Sequence, residues 1–267
     1  MNSIIKAHPS EVNPGEYTKI PETKDHEDFS ISIFSKHLHW IDYSEMAIVV
    51  SEMGFDGVDL TVRPQGHVLP ERVEEDLPKA MEAVNKAGKD IYMITTSIND
   101  ADDPITEEIL KTASSLGIHH YRLGWMYYDD TKTIEENISV VQGKMSKLAV
   151  LNEKYSISGE YQNYTGADSA GIYFGGSIWD LFGVLKNINS RWLGSQYDIY
   201  HATVEGADAW PVGLKLISPY IRTFDIKDFQ WSKKDGKWSS ESVPLGEGMV
   251  DYKKYFDLLK QFKISGP

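Results

Sequence analysis

The stretch "SQYDIYHATVEG", residues 195–206, passes from a short β-like run into a helix-opening one and leaves Asp198 and His201 three residues apart at the junction. Two structures explain such a junction. It is a surface turn in which Asp198 caps the following helix, or it ends a parallel strand, where barrel enzymes gather metal-binding and proton-transfer groups. The flanking sequence separates the two.

Outward from this stretch the chain alternates strand-like and helix-like segments. Strand character recurs at 29–35, 55–62, 90–97, 119–125, 156–161, 193–199 and 221–229. Helical spacing recurs at 42–54, 70–88, 104–117, 133–154, 177–188, 208–219 and 252–262, with Gly54 and Gly88 as stops. Pro78 predicts a kink or break inside 70–88. Seven such units predict parallel βαβ packing, as an open doubly wound sheet or a (β/α)8 barrel. No GxGxxG turn follows the first strand, which speaks against a dinucleotide-binding sheet. Polar residues crowd the strand C-termini, Asp59, Thr95, Arg122, Glu160, Asp198 and Lys227 among them, which favours the barrel. The prediction is an α/β fold, a (β/α)8 TIM-type barrel in one domain over residues 29–267. Its eighth strand is expected to be lacking, because the sequence reaches "KISGP" where that strand should begin. Residues 1–28, polar and with three prolines, predict a loosely held extension.

Composition narrows the function. The 267 residues carry 40 acidic and 27 basic side chains, a net charge of −13. That balance repels nucleic-acid phosphate and anionic membranes, and "KKDGK" at 233–237 reads as a solvated loop rather than a basic patch. The absence of cysteine rules out disulfides, thiolate nucleophiles and cysteine-held zinc. No apolar run reaches membrane-spanning length, and the N-terminus lacks the apolar core of a signal peptide. A cytoplasmic location is expected, with export of a longer precursor left open.

Glu160 follows an apolar strand, so its charge must be paired or must ligate something. Glu160 and Asp198 end neighbouring strands, and two carboxylates converging at a barrel mouth attract a divalent cation. The bland reading is a structural salt bridge for Glu160 and a helix cap for Asp198. Lys227 either pairs locally with Asp228 or holds a substrate oxygen. His67, in the loop "RPQGHVLPE" over the mouth, and Arg122, at a strand end, are candidate substrate contacts; a lone histidine is more often structural. The tryptophans near strand ends pack the core or stack on sugar rings.

Taken together, "GVDLTVRPQGHV", "GEYQNYTG", "QYDIYHATVEG", "FDIKDF" and "PLGEGMVDYKKYFDLLKQFKISGP" resemble the xylose-isomerase-like barrels known as sugar phosphate isomerases/epimerases. The resemblance covers roughly residues 29–267. It implies a divalent metal held by Glu160 and Asp198, with Glu160 also moving the proton and His201 contacting substrate. The family's seventh-strand pattern is His-x-Lys-Asp; here it reads "DIKD", so Asp225 stands where the histidine ligand is expected. The family's fourth ligand, an eighth-strand glutamate, would follow "GP". An all-oxygen set with Asp225 would favour Mn²⁺ or Mg²⁺ over Zn²⁺ or Co²⁺. The implied activity is metal-dependent isomerisation or epimerisation of a small sugar through an enediolate, with a homodimer as one assembly this allows. Two rivals are a non-catalytic sugar-binding barrel and DNA phosphodiester hydrolysis of the endonuclease IV type. The latter needs more histidines and basic surface than the chain offers.

Overall fold

The computed structural model describes residues 29–188 and 190–267; the expected extension at 1–28 lies outside them. Seven parallel strands form one sheet in chain order: β1 (Ser32–Phe34), β2 (Gly57–Val62), β3 (Asp90–Thr96), β4 (His120–Arg122), β5 (Ser158–Gln162), β6 (Leu193–Asp198) and β7 (Ile221–Asp225). Each is followed by helix: α1 (Tyr43–Glu52), α2 (Val73–Lys86), α3 (Pro104–Ser115), α4 (Ile134–Tyr155), α5 (Ile178–Ile188), α6 (Ile199–Gly206) with α7 (Trp210–Ile217), and α8 (Tyr252–Phe262). The sheet curls until Phe29, just before β1, packs edge-on against Phe224 of β7 at 5.6 Å. β1 and β7 are the two edges and do not pair with each other. The Phe224 N–H of β7 instead donates to the carbonyl of Pro267, 3.0 Å away. This is the wall of an incomplete (β/α)8 barrel, the alternative that the polar strand ends favour over an open doubly wound sheet.

Local chemistry sets the element ends. Asp42 accepts from the N–H groups of Ser44 and Glu45 and opens α1. Thr133 and Glu136 form a reciprocal capping box at the start of α4. Pro78 neither breaks nor ends α2, contrary to the sequence expectation. The one hydrogen bond it removes would go to the carbonyl of Glu74, an exposed residue in the helix's first turn, where water can replace it.

Alternation along the strands divides the molecule into two environments. Tyr121, Tyr161 and Tyr197 point outward and are fully buried; Tyr121 donates to Asn152 of α4, Tyr197 stacks on Tyr255 of α8, and the Tyr161 hydroxyl accepts from the Met126 N–H and donates to the Phe174 carbonyl in the loops above. Their inward neighbours are polar: His120, Arg122, Ser158, Glu160, Gln162, Gln196, Asp198, Thr223. Gly159 allows close approach of β5 to the helices, since a Cβ there would sit 2.7 Å from the Tyr121 ring.

The sequence reading missed one feature. Residues read as a single strand to 229 and then a solvated loop form a hairpin, β8 (Asp228–Lys234) with β9 (Lys237–Val243), after β7 stops at Asp225. Asp235 and Gly236, both at positive φ (51° and 79°), make its two-residue turn.

Candidate active site

The strand C-termini bring Gln162, Asp198, Asp225 and Lys227 together. Asp198 ends β6, fully buried, and begins α6: its Oδ1 accepts the His201 N–H at 3.3 Å. Asn163 fixes its position, accepting the Asp198 N–H and donating to the Asp198 carbonyl, at 2.8 and 3.0 Å. Asp198 Oδ2 accepts from Gln162 Nε2 at 2.8 Å and Lys227 Nζ at 2.6 Å. Asp225 Oδ2 is shared by the same two donors, at 2.5 Å from Gln162 Nε2 and 3.3 Å from Lys227 Nζ. Arg122 donates to Gln162 Oε1 at 3.0 Å. Asp225 and Lys227 thus meet at the mouth, one at the end of β7 and the other just past it.

Electrostatics follow from this packing. Burial raises the Asp225 carboxyl above its usual range, partly opposed by Lys227. Burial disfavours the charge on Lys227, but Asp225 and Asp198 outweigh it and hold the ammonium above the ordinary lysine value. On β2, burial pushes Asp59 up to about 7 against the pull of the Thr95 hydroxyl, which lies 2.8 and 2.9 Å from its oxygens. His201 is lowered to about 3 by burial first and by Lys227 second. The Thr165 N–H donates to its Nδ1 at 3.2 Å, which places the ring proton on Nε2, 3.6 Å from Asp198 Oδ2.

An aromatic wall borders the cluster. Tyr164 lies 4.0 Å from the His201 ring and 4.7 Å from Trp125, and Tyr173 packs against both Tyr164 and Trp125. Arg122 stacks on Trp125 at 4.6 Å, and Lys227 Nζ lies 5.7 Å from the Tyr164 ring. Trp125, Tyr164 and Tyr173 are half-buried, so each keeps some exposed surface beside the cluster.

Two predicted residues lie elsewhere. Glu160 faces inward but one layer below Gln162, two residues earlier on β5, and its Oε1 is held by His120 Nδ1 at 2.9 Å. The structure does not bring it to Asp198. His67 sits by β1 and β2, with Nε2 3.1 Å from the Leu38 carbonyl and its ring against His39 at 4.8 Å; none of its contacts reaches the Asp198 cluster. Asp228 does not pair with Lys227 but accepts four backbone N–H groups.

The donor set does not suit a metal ion. Among the described residues no group of three or more His, Asp or Glu side chains is placed to hold one. Arg122 can only donate, so it fixes the oxygen of Gln162 towards itself and turns the amide NH₂ onto both carboxylates. A cation between Asp198 and Asp225 would meet that NH₂ group and the Lys227 ammonium.

Comparison with known proteins fits this architecture. The family model for xylose isomerase-like TIM barrels matches residues 48–267. No curated protein sequence matches. Among solved structures, 3-keto-D-glucoside 4-epimerase from E. coli superposes with a TM-score of 0.67 at 12% identity, covering 90% of each chain. A xylose isomerase-like TIM barrel protein from Mycobacterium smegmatis, in complex with magnesium, gives 0.68 at 15%, covering 90% of this chain and 88% of that one. D-allulose 3-epimerase from Methylomonas sp., in complex with D-allulose, gives 0.60 at 16%, covering 84% and 76%.

Proposed function

We propose, since the chain belongs to the xylose isomerase-like TIM barrel family, that it is an isomerase or epimerase of a small sugar or sugar derivative, acting at the mouth around Asp198, Asp225 and Lys227. The observation that carries this reading is the shared contact of Lys227 with both carboxylates beside an aromatic wall. A sugar presents C–H faces to aromatic rings and oxygens to charges, and this mouth supplies both. The structural neighbours that act on keto-glucosides and allulose point to the same substrate class.

Asp225 takes the proton-transfer role in this reading. Its side chain is a quarter exposed, whereas Asp198 is wholly buried and Glu160 lies a layer deeper. Asp225 removes the proton from the carbon next to a ketone, the C–H electron pair forms the enediolate double bond, and the charge builds on the former carbonyl oxygen. Lys227 hydrogen-bonds that oxygen, and stabilisation of developing charge by placed donors is a large catalytic term. Delivery of a proton from water or another acid on the opposite face of that carbon epimerises; return of the proton by Asp225 to the former carbonyl carbon, with the adjacent hydroxyl proton passing to the former carbonyl oxygen, isomerises. The divalent-metal dependence implied by the family resemblance would need ligands beyond the described cluster, and no step here uses one.

Solvent-exchange NMR tests the proposal. A panel of ketoses, ketose phosphates and keto-glycosides is incubated with the protein in D₂O. One C–H signal next to a carbonyl should wash out, and Asp225→Asn should slow this at least a hundredfold. A panel that binds, by saturation-transfer NMR, with no exchange would establish the non-catalytic sugar-binding barrel instead.

A further inference from the structure

We infer that Lys227 is the resident cation of this site: its ammonium occupies the place between Asp198 and Asp225 where a divalent metal would lie, and it serves as the electrophile towards a keto-sugar oxygen. The inference rests on the reading of the mouth as a sugar site, and its test is separable from that reading.

Three observations converge. Lys227 Nζ and Gln162 Nε2 approach the same two oxygens, Asp198 Oδ2 and Asp225 Oδ2, from different elements. A hard cation bonds carboxylate oxygens at about 2.0–2.6 Å, so it could reach these atoms only by expelling both donors. Second, Gln162 cannot turn its oxygen to a cation, because rotating the amide would set its NH₂ against the Arg122 guanidinium, which has no acceptor. Third, charge balances without an added ion. Asp198 and Asp225 are met by Lys227, with Arg122 one hydrogen bond further out. A dication added to Lys227 and Arg122 would leave the cluster positive in a buried setting, which is costly. Of the other nearby acids, Asp59 accepts from the Thr95 hydroxyl and Glu160 Oε1 from His120, while Glu160 Oε2, a layer deeper, has no hydrogen-bond partner among the described residues.

Such an ammonium retains what the reaction needs. Two of its three N–H bonds face Asp198 and Asp225, which leaves one for a ligand, and the side chain is about a third accessible, beside the Tyr164 ring. The partner chemistry is a carbonyl oxygen that becomes an enediolate oxygen, held by a hydrogen bond and a full positive charge.

Manganese binding decides the matter without any sugar. Metal-stripped full-length protein is titrated with Mn²⁺, and the free ion is followed by electron paramagnetic resonance. The Gln162→Glu/Lys227→Met double variant, which removes the ammonium and adds a carboxylate, should bind Mn²⁺ at least a hundredfold more tightly than the wild-type chain. Lys227→Gln, which is one atom shorter, uncharged and keeps an N–H donor, is the milder form should the double variant fail to fold, and should gain at least tenfold. One-to-one micromolar binding by the wild type overturns the inference, as does a folded variant that gains nothing. In the second arm, any sugar C–H exchange should survive EDTA; loss on chelation with recovery on Mn²⁺ also overturns it. Absence of exchange with every sugar would count against the proposed activity and leave the manganese result standing.

Discussion

Asp228 is where a single atom change should be most legible in stability. It sits at the base of the β8–β9 hairpin, directly after Lys227, and is almost fully buried. Its Oδ1 accepts from the N–H groups of Phe229 and Val250, at 2.9 and 3.1 Å, and its Oδ2 from Gly246 and Gly248, both at 2.9 Å. One carboxylate therefore staples the loop 244–250 to the end of the barrel wall. Asp228→Asn keeps the shape but turns an NH₂ group onto one pair of donors. Keeping the oxygen on the buried Phe229 and Val250 side loses the two glycine contacts. A hydrogen bond to a charged group contributes roughly 1.5–3 kcal/mol, and the glycine N–H groups can turn to water, so a loss of about 3 kcal/mol is expected. At roughly 2–4 °C per kcal/mol for a domain of this size, Tm should fall by about 6–12 °C in differential scanning calorimetry. The pH dependence is a second check. Burial alone would raise this carboxyl, but the four N–H donors win and hold it below its usual value. The staple's contribution is then complete above the unfolded carboxyl pKa of about 3.8. It is lost as pH falls through the lower folded value, so the gap between wild type and variant should close there. A Tm within 2 °C of wild type at pH 7 would refute the reasoning.

Three further outcomes follow from the same geometry. Asp59, raised to about 7 by burial, binds its proton more tightly folded than unfolded, so its contribution declines as pH rises from about 4 to 7 and is level above that; urea titrations should show this slope in the wild type and lose it in Asp59→Asn. His201, lowered to about 3, should stay neutral with its proton on Nε2 from pH 8 to 5 in ¹⁵N NMR, and the stability it lends is lost as pH falls from about 6.5 towards 3; an imidazolium signal at pH 6 would contradict this. Gly159→Ala should cost roughly 1–3 kcal/mol in urea unfolding, because the new Cβ drives into Tyr121 and Asn152, whose mutual hydrogen bond anchors β4 to α4; an unchanged midpoint would show that the strand can shift freely.

The barrel was legible because its strands and helices differ in period and in their stop signals, and β2, β3 and β6 fall within the stretches that the sequence singles out. Asp198, Asp225 and Lys227 were legible too, as charges at strand ends. Gln162 was not. The strand-like run in the sequence ends at Tyr161, one residue short, and a glutamine offers no charge to flag it, although alternation from Glu160 puts Gln162 on the same inward face. Convergence of Glu160 with Asp198 was expected from neighbouring strand ends, but depth along a strand is a three-dimensional property: two residues are a full layer, and His120, unremarkable in sequence, holds Glu160 there. The hairpin had a signal that a charge-based reading passed over, since the Asp235-Gly236 pair between two runs of alternating residues is a two-residue turn.

The split between outward tyrosines and inward polar groups carries an evolutionary consequence. On β4, β5 and β6 the outward residues that tie the wall to its surrounding helices and loops, Tyr121, Tyr161 and Tyr197, alternate one by one with those that face the lumen, Arg122, Gln162 and Asp198. Substitution of an inward residue leaves the outward tyrosine contacts in place, and its cost lies in the polar network of the lumen instead. A lineage with this wall can therefore keep its helix and loop packing while it exchanges its reactive groups, provided that the swaps preserve charge balance in the Arg122–Gln162–Asp198–Asp225–Lys227 network, whose partners are costly to leave unpaired.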